Sequence, residues 1–251
     1  MNTVDLQDMD GVAVVRLNRG KKNPINPEFV GDLSEVIEQV REDGGITSAV
    51  LTSSNDRFFS IGLDVPELID YDKTEFREFI MDFNLLCLDI YTLPKPTAAA
   101  INGHAIAGGC ILALCCDFRY MSEGKKLFGL NEVKLGVSVP YLPQRILQQI
   151  AGDRVTVEMV YGGDFYPPEK VLEMGVVDGV FAPEELLQKS VERVKKIGEL
   201  PGRAFAAVKA NRTERVREDI IKRLERDVDV FVELWFSDEA QQRLREAMKS
   251  F

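Results

Sequence analysis

The residues of this chain most able to do chemistry are one glutamate and two glycine turns. Glu132 stands in Phe128-Gly129-Leu130-Asn131-Glu132-Val133-Lys134-Leu135-Gly136. Upstream, the small-residue run Ala98-Ala99-Ala100-Ile101 leads through Asn102-Gly103-His104 to Ala107-Gly108-Gly109-Cys110, where a glycine pair opens an apolar helix. A second glycine turn, Ile61-Gly62-Leu63-Asp64, also precedes a helix. The first N–H groups of a helix have no partner within it and aim at whatever anion lies beyond. Two converging N–H donors can hold the oxyanion of a thioester or ester, and a nearby glutamate can move a proton. That combination points to acid–base chemistry beside a carbonyl. Each part alone has a plainer reading: glycines serve tight turns and close packing, and most glutamates are solvated.

Other reactive side chains offer less. His104 is the single histidine, and no serine or cysteine occupies a nucleophile elbow, so it reads as structural. A His-rich metal site has no material. Cys110, Cys115 and Cys116 lie in an apolar segment and Cys87 in a helical one, which reads as buried, reduced thiols and a cytoplasmic setting. Lys21 and Lys22, beside an Asn-Pro turn, either meet a ligand phosphate or only solubilise their loop. A formal net charge of −10 argues against nucleic-acid binding. There is neither a signal-peptide pattern at the N-terminus nor an apolar run long enough to span a bilayer.

These groups need a scaffold. With 251 residues, 45% hydrophobic and 29% charged, the composition suits one large α/β unit with a helical appendage. Strands are expected at Val12–Leu17, 49–52, Thr97–Ile101, 118–121 and 176–181. Asn23-Pro24-Ile25-Asn26-Pro27 turns into an amphipathic helix carrying Phe29, Val30, Leu33, Val36, Ile37 and Val40. Asp64 with Glu67, and Asp72 with Glu75, have capping-box spacing. Glu132 is expected on a loop, followed by helices at 141–150, 155–161 and 168–174. From Pro183 onward the pattern is helical throughout: 183–200, 202–210, 214–236 and 238–249. The expected division is therefore an α/β core over 1–182 and a helical region over 183–251.

In order and spacing, Phe59-Ser60-Ile61-Gly62-Leu63-Asp64-Val65, the run from Pro96 to Cys110, and Phe128-Gly129-Leu130-Asn131-Glu132 resemble the crotonase (enoyl-CoA hydratase/isomerase) superfamily. The resemblance extends from Val12 through Asp178. It implies a spiral of ββα units followed by C-terminal helices that build trimers or dimers of trimers. It also implies an acyl-CoA ligand of fatty-acid β-oxidation type, with its thioester oxygen on the N–H groups of Leu63 and Gly108. Ile61, Gly62, Leu63, Asp64 and Val65 would line the thioester and pantetheine. The face with Phe76, Phe79, Ile80 and Phe83 would border the acyl chain or simply pack the core. Hydratases of the superfamily carry a glutamate directly after Gly-Gly-Cys, where this chain has Ile111, and their glycine-rich stretch is here Pro140-Tyr141-Leu142-Pro143. With Glu132 alone, the chain looks like the single-glutamate Δ3,Δ2-enoyl-CoA isomerases, which need no metal and no cofactor beyond the coenzyme A of the substrate. The alternatives are another crotonase activity, such as weak hydration or thioester hydrolysis, and a catalytically silent acyl-CoA-binding protein.

Overall fold

The computed structural model describes residues 2–249; Met1, Ser250 and Phe251, which bound the two expected regions, lie outside it. The first elements form a hairpin that the sequence reading did not anticipate. β1 (Val4–Met9) turns at Asp10-Gly11 into β2 (Val12–Leu17), paired antiparallel from Val4↔Leu17 to Met9↔Val12. Both turn residues hold positive φ, 51° and 81°, which matches the twist of a tight hairpin. α1 (Pro27–Glu42) starts at Asn26, whose side chain accepts the Phe29 N–H. It returns the chain to β3 (Ser48–Ser53), parallel to β2.

From here each turn of the chain places one strand in each of two sheets and then a helix. β3 is followed by β4 (Phe58–Ser60), α2 (Val65–Leu68) and α3 (Lys73–Tyr91). β5 (Thr97–Ile101), β6 (His104–Ile106) and α4 (Gly108–Leu114) make the next turn. β7 (Phe118–Ser122) and β8 (Phe128–Gly129) lead to a 3-10 turn at Glu132–Leu135, then α5 (Tyr141–Ala151), α6 (Asp153–Gly162) and α7 (Pro168–Glu173). β9 (Gly179–Phe181) completes the large sheet. Among the described residues, that sheet runs β1-β2-β3-β5-β7-β9, and a smaller parallel one runs β4-β6-β8. This is the expected spiral of ββα units.

The inner strands β2, β3 and β5 are covered on both faces and read as largely apolar runs, whereas the edge strand β1 is mostly exposed. Ala99 and Ile101 face the main core, while Ala98 and Ala100 pack with Leu186 and Val194 of α8 (Pro183–Gly198). α9 (Gly202–Trp235) and α10 (Asp238–Met248) complete the helical region.

Three expectations are corrected. The two helices expected at 202–210 and 214–236 are one helix of 34 residues. Nothing between them breaks it: Thr213 folds its hydroxyl back onto the Lys209 carbonyl (2.9 Å) within the helix. Its apolar face, which could serve assembly or fold back on its own chain, does the latter: Ile220, Val228, Phe231 and Trp235 are buried, and Trp235 stacks 4.4 Å from Phe76 of α3. Glu132 lies in a 3-10 turn rather than an open loop. The strand expected at 176–181 shortens to β9, since the Val176 and Val177 N–H groups close the turn after α7 on the Val171 carbonyl.

Candidate active site

The two glycine turns meet. Around the first, Ile61 donates to the Lys22 carbonyl (3.2 Å), Ile25 to the Gly62 carbonyl (2.9 Å) and Asp64 to the Ile25 carbonyl (2.8 Å). Between these paired groups the Leu63 N–H has no partner among the described residues. The second turn is held by Ala107, whose N–H donates to the Gly129 carbonyl and whose φ of 49° is one that residues with a β-carbon avoid. It leaves Gly108, first residue of α4, with an N–H that likewise has no partner among the described residues. A β-carbon on Gly62 would lie 2.9 Å from the Gly108 nitrogen, so only glycine allows the two turns to touch. Asn23, buried, ties the framework together by donating to Ser53 (2.8 Å) and to the Phe59 carbonyl (2.9 Å).

Leu63 and Gly108 open onto a cavity of about 1100 Å³, and Glu132 stands in its wall. Glu132 is 5% exposed, and its Oε2 has no hydrogen-bond partner among the described residues. Burial without a compensating cation pushes its pKa up to about 7 from the ordinary 4.5. A carboxylate so placed can take a proton near neutral pH and return it. Ile111, 3% exposed, fills the wall where a second acid was considered. Beside Glu132, the Oδ1 of Asn131 is also buried without a partner and lines the same cavity. Sequence reading passed over Asn131; its one signal was adjacency to the glutamate.

Lys21, Lys22, Ile61, Leu63 and Val65 line the cavity, whereas Gly62 and Asp64 do not. The Asp64 carboxylate is engaged elsewhere: it accepts from Arg19 (2.6 Å) and caps α2 at the Glu67 N–H. The Asp64 carboxylate thus holds the framework, and Ile61, Leu63 and Val65 make the cavity wall at this turn. Ile80 and Phe83 of α3 line the cavity, but Phe76 and Phe79 belong to the packing around it. His104 lies outside, its ring 5.2 Å from that of Phe58. The four cysteines are free and buried. The sequence reading also missed a wall supplied by the helical region, where Val228, Phe231 and Trp235 of α9 and Leu244 of α10 close one side.

This spiral, with paired glycine turns over a buried glutamate, has counterparts among known proteins. A family model for enoyl-CoA hydratase/isomerase matches residues 7–251. The chain belongs to that family, the crotonase superfamily. It is 29% identical over 242 residues to the mouse mitochondrial enoyl-CoA delta isomerase 1, covering 96% of this chain and 84% of the relative. It is 31% identical over 230 residues to a crotonyl-CoA hydratase of Syntrophomonas wolfei, covering 90% and 87%. The crystal structure of human mitochondrial delta3-delta2-enoyl-CoA isomerase superimposes with a TM-score of 0.95 at 26% identity, covering 99% of this chain and 97% of that one. Among the described residues, no helix is long and apolar enough to cross a membrane.

Proposed function

We propose that this protein is a Δ3,Δ2-enoyl-CoA isomerase. The observation that carries the reading is one buried carboxylate, Glu132, whose Oε2 has no partner among the described residues and which faces a cavity where Ile111 stands rather than a second acid. Glu132 takes a C2 proton from a 3-enoyl thioester, and the electrons move through the double bond onto the thioester oxygen. The N–H groups of Leu63 and Gly108 bind that dienolate oxygen. Each such donor, judged by deletion, lowers the barrier by about 3–4 kcal/mol. The same carboxyl then delivers its proton to C4, leaving the conjugated 2-enoyl thioester. Ile111 keeps water from the alkene, so reprotonation wins over addition. The chemistry needs no cofactor beyond the coenzyme A of the substrate.

Lys21 and Lys22 at the mouth are proposed to meet the coenzyme A phosphates. The 1–182 core and the 183–251 helices are proposed as one catalytic unit, which assembles as a trimer or dimer of trimers. Since the apolar face of α9 is used in cis, exposed apolar residues elsewhere, such as Val157, Tyr161 and Leu172, supply the contact. The buried free thiols suit a reducing compartment such as the cytoplasm.

Hydration is the second reading. It is favoured by Asn131 Oδ1 and Glu132 Oε2, two buried acceptors without partners, which suit a bound water. Incubation of the purified protein with trans-3-enoyl-CoA, followed for conjugated product, tests the first reading against hydration of crotonyl-CoA. Robust hydration with no double-bond shift on any 3-enoyl-CoA would sink the isomerase assignment.

A further inference from the structure

A second cleft, of about 580 Å³, shares Arg57 with the large cavity and is otherwise lined by His104, Lys125, Lys126, Leu127 and Pro167. Its lining holds three cations and a histidine and no acid, on a chain whose net charge is −10. Two of the three cations are held by the fold. The Lys126 ammonium donates to the Asp56 carbonyl, and the Arg57 guanidinium lies 5.3 Å from the centre of the Phe58 ring, on which His104 also packs. The Nδ1 of His104 is buried and has no partner among the described residues. Burial, then Lys126, then Arg57 hold its pKa below the ordinary value. Like charges crowded around an unsatisfied ring nitrogen are unfavourable unless an anion joins them.

We propose that this cleft binds a phosphate group. A phosphate offers several acceptor oxygens and up to two negative charges, which suits a guanidinium, two ammonium groups and an imidazole arriving from different elements. A lone carboxylate would satisfy fewer of these donors. The site does not rest on the isomerase reading. Only the carrier of the phosphate does, because Arg57 joins the cleft to the mouth where Lys21 and Lys22 would meet an acyl-CoA. The shared chemistry is a phosphate monoester or free phosphate.

The chain contains one histidine and one tryptophan, so each concavity has its own reporter. His104 reports the cleft by the NMR titration of its ring protons, and Trp235 reports the large cavity by fluorescence. The probes are inorganic phosphate, coenzyme A and 3′-dephospho-coenzyme A, with a phosphate-free acyl-pantetheine as control for the cavity. A bound phosphate favours the imidazolium, so the titration midpoint of His104 moves up, on the order of one pH unit. The movement is lost in the double variant Lys125→Gln, Lys126→Gln, which retains the Trp235 response to acyl-pantetheine. Movement with coenzyme A but not with its 3′-dephospho form assigns the carrier as the 3′-phosphate. Movement with inorganic phosphate matching that with coenzyme A assigns a site for free phosphate. An unmoved His104 with all three probes, or equal movement in the double variant, overturns the proposal. A failure to isomerise 3-enoyl-CoA while His104 still responds removes the isomerase reading and leaves the cleft.

Discussion

Asp117 and Glu132 are both carboxylates largely withdrawn from water, and their surroundings treat them in opposite ways. Asp117 accepts the Thr97 N–H (2.9 Å), the Thr97 hydroxyl (3.0 Å) and the Lys209 ammonium (2.7 Å). Lys209, on α9, donates also to the Lys95 carbonyl (3.1 Å). Three donors converge on the Asp117 Oδ2, and the cluster fastens the long helix to the sheet. Glu132 is given no cation, and its Oε2 has no partner among the described residues. Satisfaction fixes geometry; withholding it keeps a group poised to exchange a proton. The cost at Glu132 is borne by the surrounding core, whose Ile111, Leu130 and Val137 are buried.

The contrast breaks most directly at Glu132. Glu132→Gln keeps the shape and removes the base, and kcat for isomerisation is expected to fall by roughly 10²–10⁴-fold. Steady-state assay checks this, and activity within a few-fold of wild type would remove Glu132 from the mechanism. The same variant is expected to be more stable above pH 7, which a saturated carboxylate would never show. Below the ordinary value of 4.5 the carboxyl is protonated whether folded or unfolded. Between 4.5 and about 7 the unfolded chain ionises this carboxyl while the folded protein holds its proton, so stability is lost across that window and levels off above it. Wild type therefore loses about 3 kcal/mol relative to the glutamine variant by pH 8, by urea titration, and nothing near pH 4.

Lys209→Met tests the other half. Leaving Asp117 without its cation is expected to cost about 3 kcal/mol of stability at neutral pH, read by the same titration, with kcat of the folded protein little changed. Gly62→Ala sharpens the role of the joined turns. Its β-carbon would stand 2.9 Å from the Gly108 nitrogen at a φ of +86°, so the pair of N–H donors is displaced. About a 10²-fold loss in kcat is expected, larger than the loss in substrate affinity. The smallest effect is the pH profile itself: kcat/KM for isomerisation is expected to rise with pH about a midpoint near 7, where Glu132 loses its proton.

The large sheet and the caps were readable because their signals are local. Asp72 and Glu75 form the expected reciprocal cap, and the apolar run at Thr97–Ile101 is a buried parallel strand. The Asp10-Gly11 turn was an available hairpin signal that went unused. The small sheet was hidden for another reason. β4, β6 and β8 have three, three and two residues, too few to display any period. Glu132 and the glycine turns were found by resemblance and spacing, but burial and the absence of a partner are properties of three dimensions. Asp64 shows another limit: the resemblance put it beside the ligand, but only the fold shows the distant Arg19 holding its carboxylate. The apolar face of α9 needs cover, and amphipathicity does not say whether that cover is the same chain or another.

The cavity wall draws on both ends of the described chain, from Lys21 to Ala247. Such a container is assembled late. During synthesis the sheet and its crossovers can form in order as they emerge, since each strand pairs with one made shortly before. The cavity exists only once α9, about 50 Å long, has laid Phe231 and Trp235 across α3 and brought α10 down beside the 3-10 turn that carries Glu132. Until then the glutamate is open to solvent and the glycine turns hydrogen-bond to water. Competence for chemistry thus arrives with the final docking step and is absent from every shorter nascent chain, however well folded its sheet.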